Sequence, residues 1–146
     1  MSEVALATAP VTVPPVIQAL LAKLAIPYTE VTENPGLDAA RKVQAVLLED
    51  AVGALMVLFP QSQLLDLNRL AELTGRRLTA VSPDRVERML GKHELSLLPG
   101  LPALTSSPCL YEGSLLNESS LLVHSGEAGL LLEISSDHFK TMLTKA

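Results

Sequence analysis

Two apolar runs of strand length, Val43 to Leu48 and Ala54 to Phe59, constrain this chain more than any other feature. Neither alternates cleanly between apolar and polar residues, so neither reads as the half-solvated strand of a one-faced sheet. Both read instead as central strands covered on both faces. Glu49 to Gly53 has the length and the glycine of a hairpin loop joining them. Such a pair needs further apolar layers above and below it. A chain of 146 residues, 48% of them apolar, can supply them. At this length ~70% of the unfolded surface can be buried, which is one domain's worth and needs no covalent staples. The single cysteine rules out a disulfide framework in any case.

Around the central pair the helix signals are local and explicit. Pro14 and Pro15 open a helix, where their missing N–H groups cost little, and Ile17, Leu20, Leu21 and Leu24 share one face of it. Pro27 ends it, and Tyr28 to Thr32 alternates like a short strand. Asn34-Pro35-Gly36 is a turn by composition, and Leu37 to Lys42 predicts a short helix. Asp66 caps a helix whose inner face is Leu67, Leu70, Ala71 and Thr74, with Gly75 as its C-terminal stop. Arg76 to Val81 predicts a strand. Ser82 and Pro83 start the next helix, which carries Val86, Met89 and Leu90 inward and ends near Gly91. Residues 92–108, with three prolines and Gly100, form a long irregular loop, a kind of segment that is often functional. Pro108 to Tyr111, Leu121 to Val123 and Leu130 to Ile134 read as strands. Ser135 or Ser136 caps a last helix with Phe139, Met142 and Leu143 inward. Residues 1–12 read as a flexible start to a single domain spanning 13–146. The sum is an α/β chain of the α+β type: a curved, mixed, largely antiparallel sheet of about six or seven strands surrounded by four or five helices.

Composition excludes several function classes. About thirty leucines and only 3% aromatics make an aliphatic core and leave too few rings for a base-stacking platform. The net charge of −5 argues against nonspecific nucleic-acid or membrane binding. No apolar run reaches the ~18 residues that span a bilayer, and no basic segment followed by an apolar one marks a secretory leader. With one thiol, a cytoplasmic location is expected. Cys109, between Pro108 and Leu110, reads as a small buried hydrophobe. His93, His124 and His138 are isolated, so no metal is expected, and each histidine reads as a surface or satisfied polar group. No phosphate-loop, dinucleotide-loop or nucleophile-elbow motif is present. Arg85, Arg88 and Lys92 fall on one helical face, with Arg76-Arg77 and Arg41-Lys42 elsewhere. They read as a solvated face interleaved with Asp84 and Glu87, or as contacts for RNA phosphates.

Four stretches, taken in order, resemble the YbaK/aminoacyl-tRNA deacylase family, the editing domain associated with prolyl-tRNA synthetase. They are Val16 to Val31; the hairpin from Val43-Gln44-Ala45-Val46 to Leu58-Phe59-Pro60; Leu65-Asp66-Leu67-Asn68-Arg69-Leu70 followed by Gly75-Arg76; and Ser125-Gly126-Glu127-Ala128-Gly129-Leu130. The resemblance runs from about residue 13 to 145 and implies hydrolysis of the ester that joins a wrong amino acid to tRNA. It implies no cofactor, and a ligand that is the aminoacylated acceptor end. In the family a strand lysine orients that end, and a G-x-x-P loop offers backbone N–H groups to the substrate carbonyl. Here Gln44 stands at the lysine position, and Lys42 lies two residues earlier on the same strand face, ~7 Å away. The loop is Ser96-Leu97-Leu98-Pro99-Gly100, and a late acidic position is Glu112. The catalytic candidates are therefore Lys42 and Gln44, and the binding candidates Ser96, Pro99, Gly100, Glu112, Ser125 and Gly126. The substitutions imply relaxed or lost deacylation. The alternative is an inactive module that binds a small molecule, an aminoacyl-tRNA end or a protein partner, and that can form part of a longer protein.

Overall fold

The computed structural model describes residues 12–145; of the stretch 1–12 read as a flexible start, residues 1–11 lie outside it. Helix α1 (Pro15–Lys23) follows Pro14 and buries Ile17 and Leu21, as its periodicity requires. Strand β1 (Thr29–Thr32) follows, then β2 (Lys42–Glu49) and β3 (Ala54–Pro60). Helix α2 (Leu67–Thr74), β4 (Thr79–Ala80) and α3 (Pro83–Lys92) come next. The long loop contains a 3-10 turn at Pro102–Leu104 and leads to β5 (Cys109–Tyr111). A second such turn, Gly113–Asn117, precedes β6 (Ser120–His124), β7 (Leu130–Ser135) and α4 (Ser136–Lys145).

The strands form one seven-stranded mixed sheet in the order β1-β7-β6-β2-β3-β5, with β4 also paired to β2. The hairpins β2–β3 and β6–β7 and the β1–β7 pair are antiparallel. The β2–β6 and β3–β5 pairs are parallel. One edge of β2 takes β3. The other is shared: its start pairs with β6 at Lys42 and Val43, and its end with β4 at Leu48 and Glu49.

Both faces of the central pair are covered, as the unalternating sequence predicts. Val43, Ala45 and Leu47 join the main core, with Ile17 and Leu21 of α1, Leu101 of the long loop, and Phe139 and Met142 of α4. Val46 and Leu48 face the other way, with Leu55, Val57 and Leu78. Each fully buried side chain of this aliphatic set contributes ~1.5–3 kcal/mol.

Three local expectations are corrected. Leu37 to Lys42 is not a helix. Asn34 and Asp38 spend their side-chain oxygens on the N–H groups of Gly36 and Ala40, which fixes turns and delivers the chain into β2. The strand expected over Arg76 to Val81 shrinks to Thr79–Ala80, because Arg76 instead reaches Asp50 in the β2–β3 loop. Helix α2 starts at its Asp66 cap and stops at Gly75, which is in the left-handed region at φ 69°, as expected. It buries none of its residues fully, however, and Leu67 is 44% exposed.

Candidate functional site

Alternation along β2 decides where the strand candidates point. Lys42 and Gln44 lie on the face opposite Val43 and Ala45, away from the main core. Lys42 is nonetheless buried, 8% exposed. Its ammonium lies 2.7 Å from Glu33 Oε1 and donates to the Asn34 carbonyl at 3.2 Å. The Asn34-Pro35-Gly36 turn thus folds the end of β1 back over the start of β2 and fixes the lysine there. Beside it, Arg41 bonds Glu133 and the Ser120 hydroxyl across β6 and β7. The Glu133 carboxyl, bonded first by Ser120 and then by Arg41, is held below the usual carboxylate range.

The registers extend this face into a row. Gln44 is directly opposite Phe59. Carrying the parallel β2–β6 register one residue past Val43↔Val123 sets Gln44 abreast of His124. Beyond Phe59, Glu112 follows β5 and donates its N–H to the Leu58 carbonyl. His124 is half-buried. Burial lowers its pKa, as does the Lys42 charge, while Glu33 opposes them. The imidazole is therefore kept neutral near pH 7. Glu33 and His124 are the members of this face that the sequence did not single out. His124 is linked to Lys42 through a parallel pairing of strands 80 residues apart, and Glu33 through the way the 34–36 turn folds back on β2, and neither is a matter of spacing.

Ser96, Ser125 and Gly126 meet at a second place, where the long loop crosses the β6–β7 turn. The Gly126 carbonyl accepts from the Ser96 N–H at 2.8 Å, the Leu97 N–H at 3.2 Å and the Ser96 hydroxyl at 3.1 Å. The Ala128 N–H donates to Ser96 Oγ at 3.1 Å. Ser125 is fully buried, and its hydroxyl donates to the Leu130 carbonyl at 2.8 Å and closes the turn. Gly126 has φ 96°, and a Cβ there would sit 2.7 Å from Leu95 Cδ2, so only glycine fits. Pro99 is buried, and Gly100 packs on Val43 and Val123 in the main core. Two of the loop's N–H groups are thus already taken by Gly126. Pro99 has none, which leaves Leu98 and Gly100 as the other N–H groups between 96 and 100.

Glu112 stands apart from both places. Two strand spacings separate it from Gln44, roughly 10 Å. It caps the 113–117 turn by accepting from the Ser114 N–H, and it lines a cavity of about 250 Å³ with Phe59, Arg69, Leu70 and Tyr111. Cys109 is half-buried, and burial pushes its thiol up to about 11, so it is no nucleophile at neutral pH. Among the described residues no cluster of three or more metal-ligating side chains occurs. No helix there is long and apolar enough to cross a membrane.

Solved structures share this architecture. A crystal structure from Marinobacter aquaeolei VT8, described as a "putative signal transduction protein", superposes with a TM-score of 0.79 at 26% identity over 90% of this chain. This chain spans only 29% of that protein. A structure described as a "putative trans-editing enzyme for prolyl tRNA synthetase" gives 0.75 at 15% identity, covering 93% of this chain and 94% of that one. At that identity the likeness is one of fold. No curated protein matches the chain. Residues 27–142, from the end of the first helix to the last, match the aminoacyl-tRNA editing domain, and the chain belongs to that family.

Proposed function

We propose that this domain binds the aminoacylated end of a tRNA on the face that carries Gln44, and that it has lost the hydrolytic step. The observation that carries this reading is the state of the nearest cation. The Lys42 ammonium is held 2.7 Å from Glu33, and on this reading Gln44 stands where the family has its lysine. Ester hydrolysis builds negative charge on the carbonyl oxygen, and preformed donors or cations stabilise it. A glutamine offers a hydrogen bond but no charge. The loop expected to supply N–H groups spends two of them on Gly126. Both sources of oxyanion stabilisation are therefore weakened, while the fold that would cradle the ligand is kept.

A second reading, a ligand-binding module within a longer protein, is favoured by the likeness to the M. aquaeolei protein, of which this chain spans 29%. A non-hydrolysable RNA minihelix, with alanine joined to its 3′ end by an amide, tests the binding claim. The reading expects saturable binding that weakens when the aminoacyl group is removed. Equal binding of the bare and aminoacylated minihelices, or no binding of either, overturns it.

A further inference from the structure

We infer that a cavity on the opposite face of the sheet, between α3 and the long loop, binds a small organic phosphate monoester: a phosphate head on an apolar body. The cavity measures about 370 Å³, within the ~300–1,000 Å³ range of small-molecule sites. Its floor is apolar, formed by Leu47, Val86, Met89 and Leu104. Its polar lining is of one kind: Arg85, Lys92 and His93, with the hydroxyls of Thr105 and Ser107, and no carboxylate.

The basic stripe read from the sequence resolves here into separate fates. Arg85 is held by both oxygens of Glu49, at 2.8 and 2.6 Å. Arg88 lies outside the cavity, beside Asp84 and Glu87. Lys92 and His93 have no side-chain partner among the described residues. The Thr105 and Ser107 hydroxyls donate to the Pro102 and Thr105 carbonyls at 3.2 and 3.5 Å, so the donors left to a ligand are the unpaired Lys92 ammonium and the His93 imidazole, which beside an apolar floor match a ligand with one compact, multi-acceptor anionic head. A phosphate monoester offers three terminal oxygens and up to two charges, where a carboxylate offers two oxygens and one.

Two residues in the left-handed region are chain neighbours of the lining residues, without lining the cavity themselves. Glu94, next to His93, has φ 58°, and Ser106, between Thr105 and Ser107, has φ 53°. These are two of the three left-handed non-glycine residues described. Strain of that kind persists where the surroundings impose it, and it collects at binding sites. The site lies on the face opposite Gln44, so it does not rest on the editing reading.

The test is titration of the whole chain with phenyl phosphate, followed by amide chemical shifts, with inorganic phosphate, benzoate and a short single-stranded RNA as parallel probes. Phenyl phosphate is expected to shift Val86, Met89, His93 and Leu104. It is expected to bind at least tenfold tighter than benzoate or inorganic phosphate. Lys92→Ala, at an exposed position, should raise its Kd about tenfold, whereas Lys23→Ala on α1 should leave it unchanged. No shifts in the cavity, equal binding of benzoate or inorganic phosphate, RNA binding there in place of phenyl phosphate, or an unchanged Kd in Lys92→Ala would each overturn the assignment.

Discussion

Replacing Gly126 by alanine separates two costs that the structure places on one residue. Gly126 and Gly129 both lie in the β6–β7 turn with positive φ, 96° and 84°. An L-residue in that region costs ~1–2 kcal/mol. At Gly129 nothing lies within 4 Å of an added Cβ, so Gly129→Ala should cost only that amount. At Gly126 the Cβ would meet Leu95 Cδ2 at 2.7 Å, and Leu95 is a core residue 8% exposed. Displacing it adds the ~1–3 kcal/mol of an overpacked core. Gly126→Ala should therefore cost ~2–5 kcal/mol, lowering Tm by roughly 5–20 °C in a chain of this size. Urea unfolding of both variants, and of each in a Leu95→Ala background, isolates the contact. In that background the excess cost of Gly126→Ala should vanish. If Gly126→Ala costs no more than Gly129→Ala, the close packing of loop on turn is wrong. The Ser96–Gly126 junction would then lose its structural role.

Two further outcomes follow from charge and burial. Asp50 accepts from the Arg76 guanidinium at 2.8 and 2.6 Å and from the N–H groups of Val52 and Gly53, and Arg76 foremost holds it well below the usual carboxylate range. Because the folded pKa is the lower one, this stabilisation is full above the unfolded value of ~3.9 and is lost as pH falls below it. Asp50→Asn should thus be less stable than wild type at pH 7, with the gap narrowing, but not closing, as pH falls from 4 to 2.5 in urea titrations; a gap that stays constant contradicts the pairing. Cys109, with its thiol near 11, carries ~0.1% thiolate at pH 8, against roughly a quarter for an ordinary cysteine. Its reaction with a disulfide reagent should be about a hundredfold slow in the native chain and normal in urea, whereas equally fast reaction in both would refute its burial.

What the sequence revealed and what it hid divide along the range of the interactions. Helix starts and stops set within a few residues, such as Asp66 with Gly75 and Ser82 with Pro83, appear as read. The β2–β3 hairpin and its two covered faces follow from the apolar runs alone. The short helix over Leu37 to Lys42 failed because the Asn34 and Asp38 side chains compete locally for backbone N–H groups, a balance that periodicity does not measure. The parallel pairs β2–β6 and β3–β5 join distant segments, and hairpin logic is blind to them. The candidate site divides in the same way. That Lys42 and Gln44 share a face is a matter of counting by two. That Glu33 holds Lys42, and that Glu49 holds Arg85, depends on contacts no local pattern encodes.

On the proposed function, the face carrying Gln44 binds an aminoacyl end without the charge needed to cleave it. Single-turnover deacylation of Ala-tRNA(Pro) and Cys-tRNA(Pro), with wild type beside Gln44→Lys and Lys42→Ala, measures that claim directly. Wild type should hydrolyse at the uncatalysed background rate, Lys42→Ala should not change it, and Gln44→Lys should rise clearly above background. Wild-type hydrolysis well above background, abolished by Lys42→Ala, would show that Lys42 leaves Glu33 to act on the ester, and would contradict that claim.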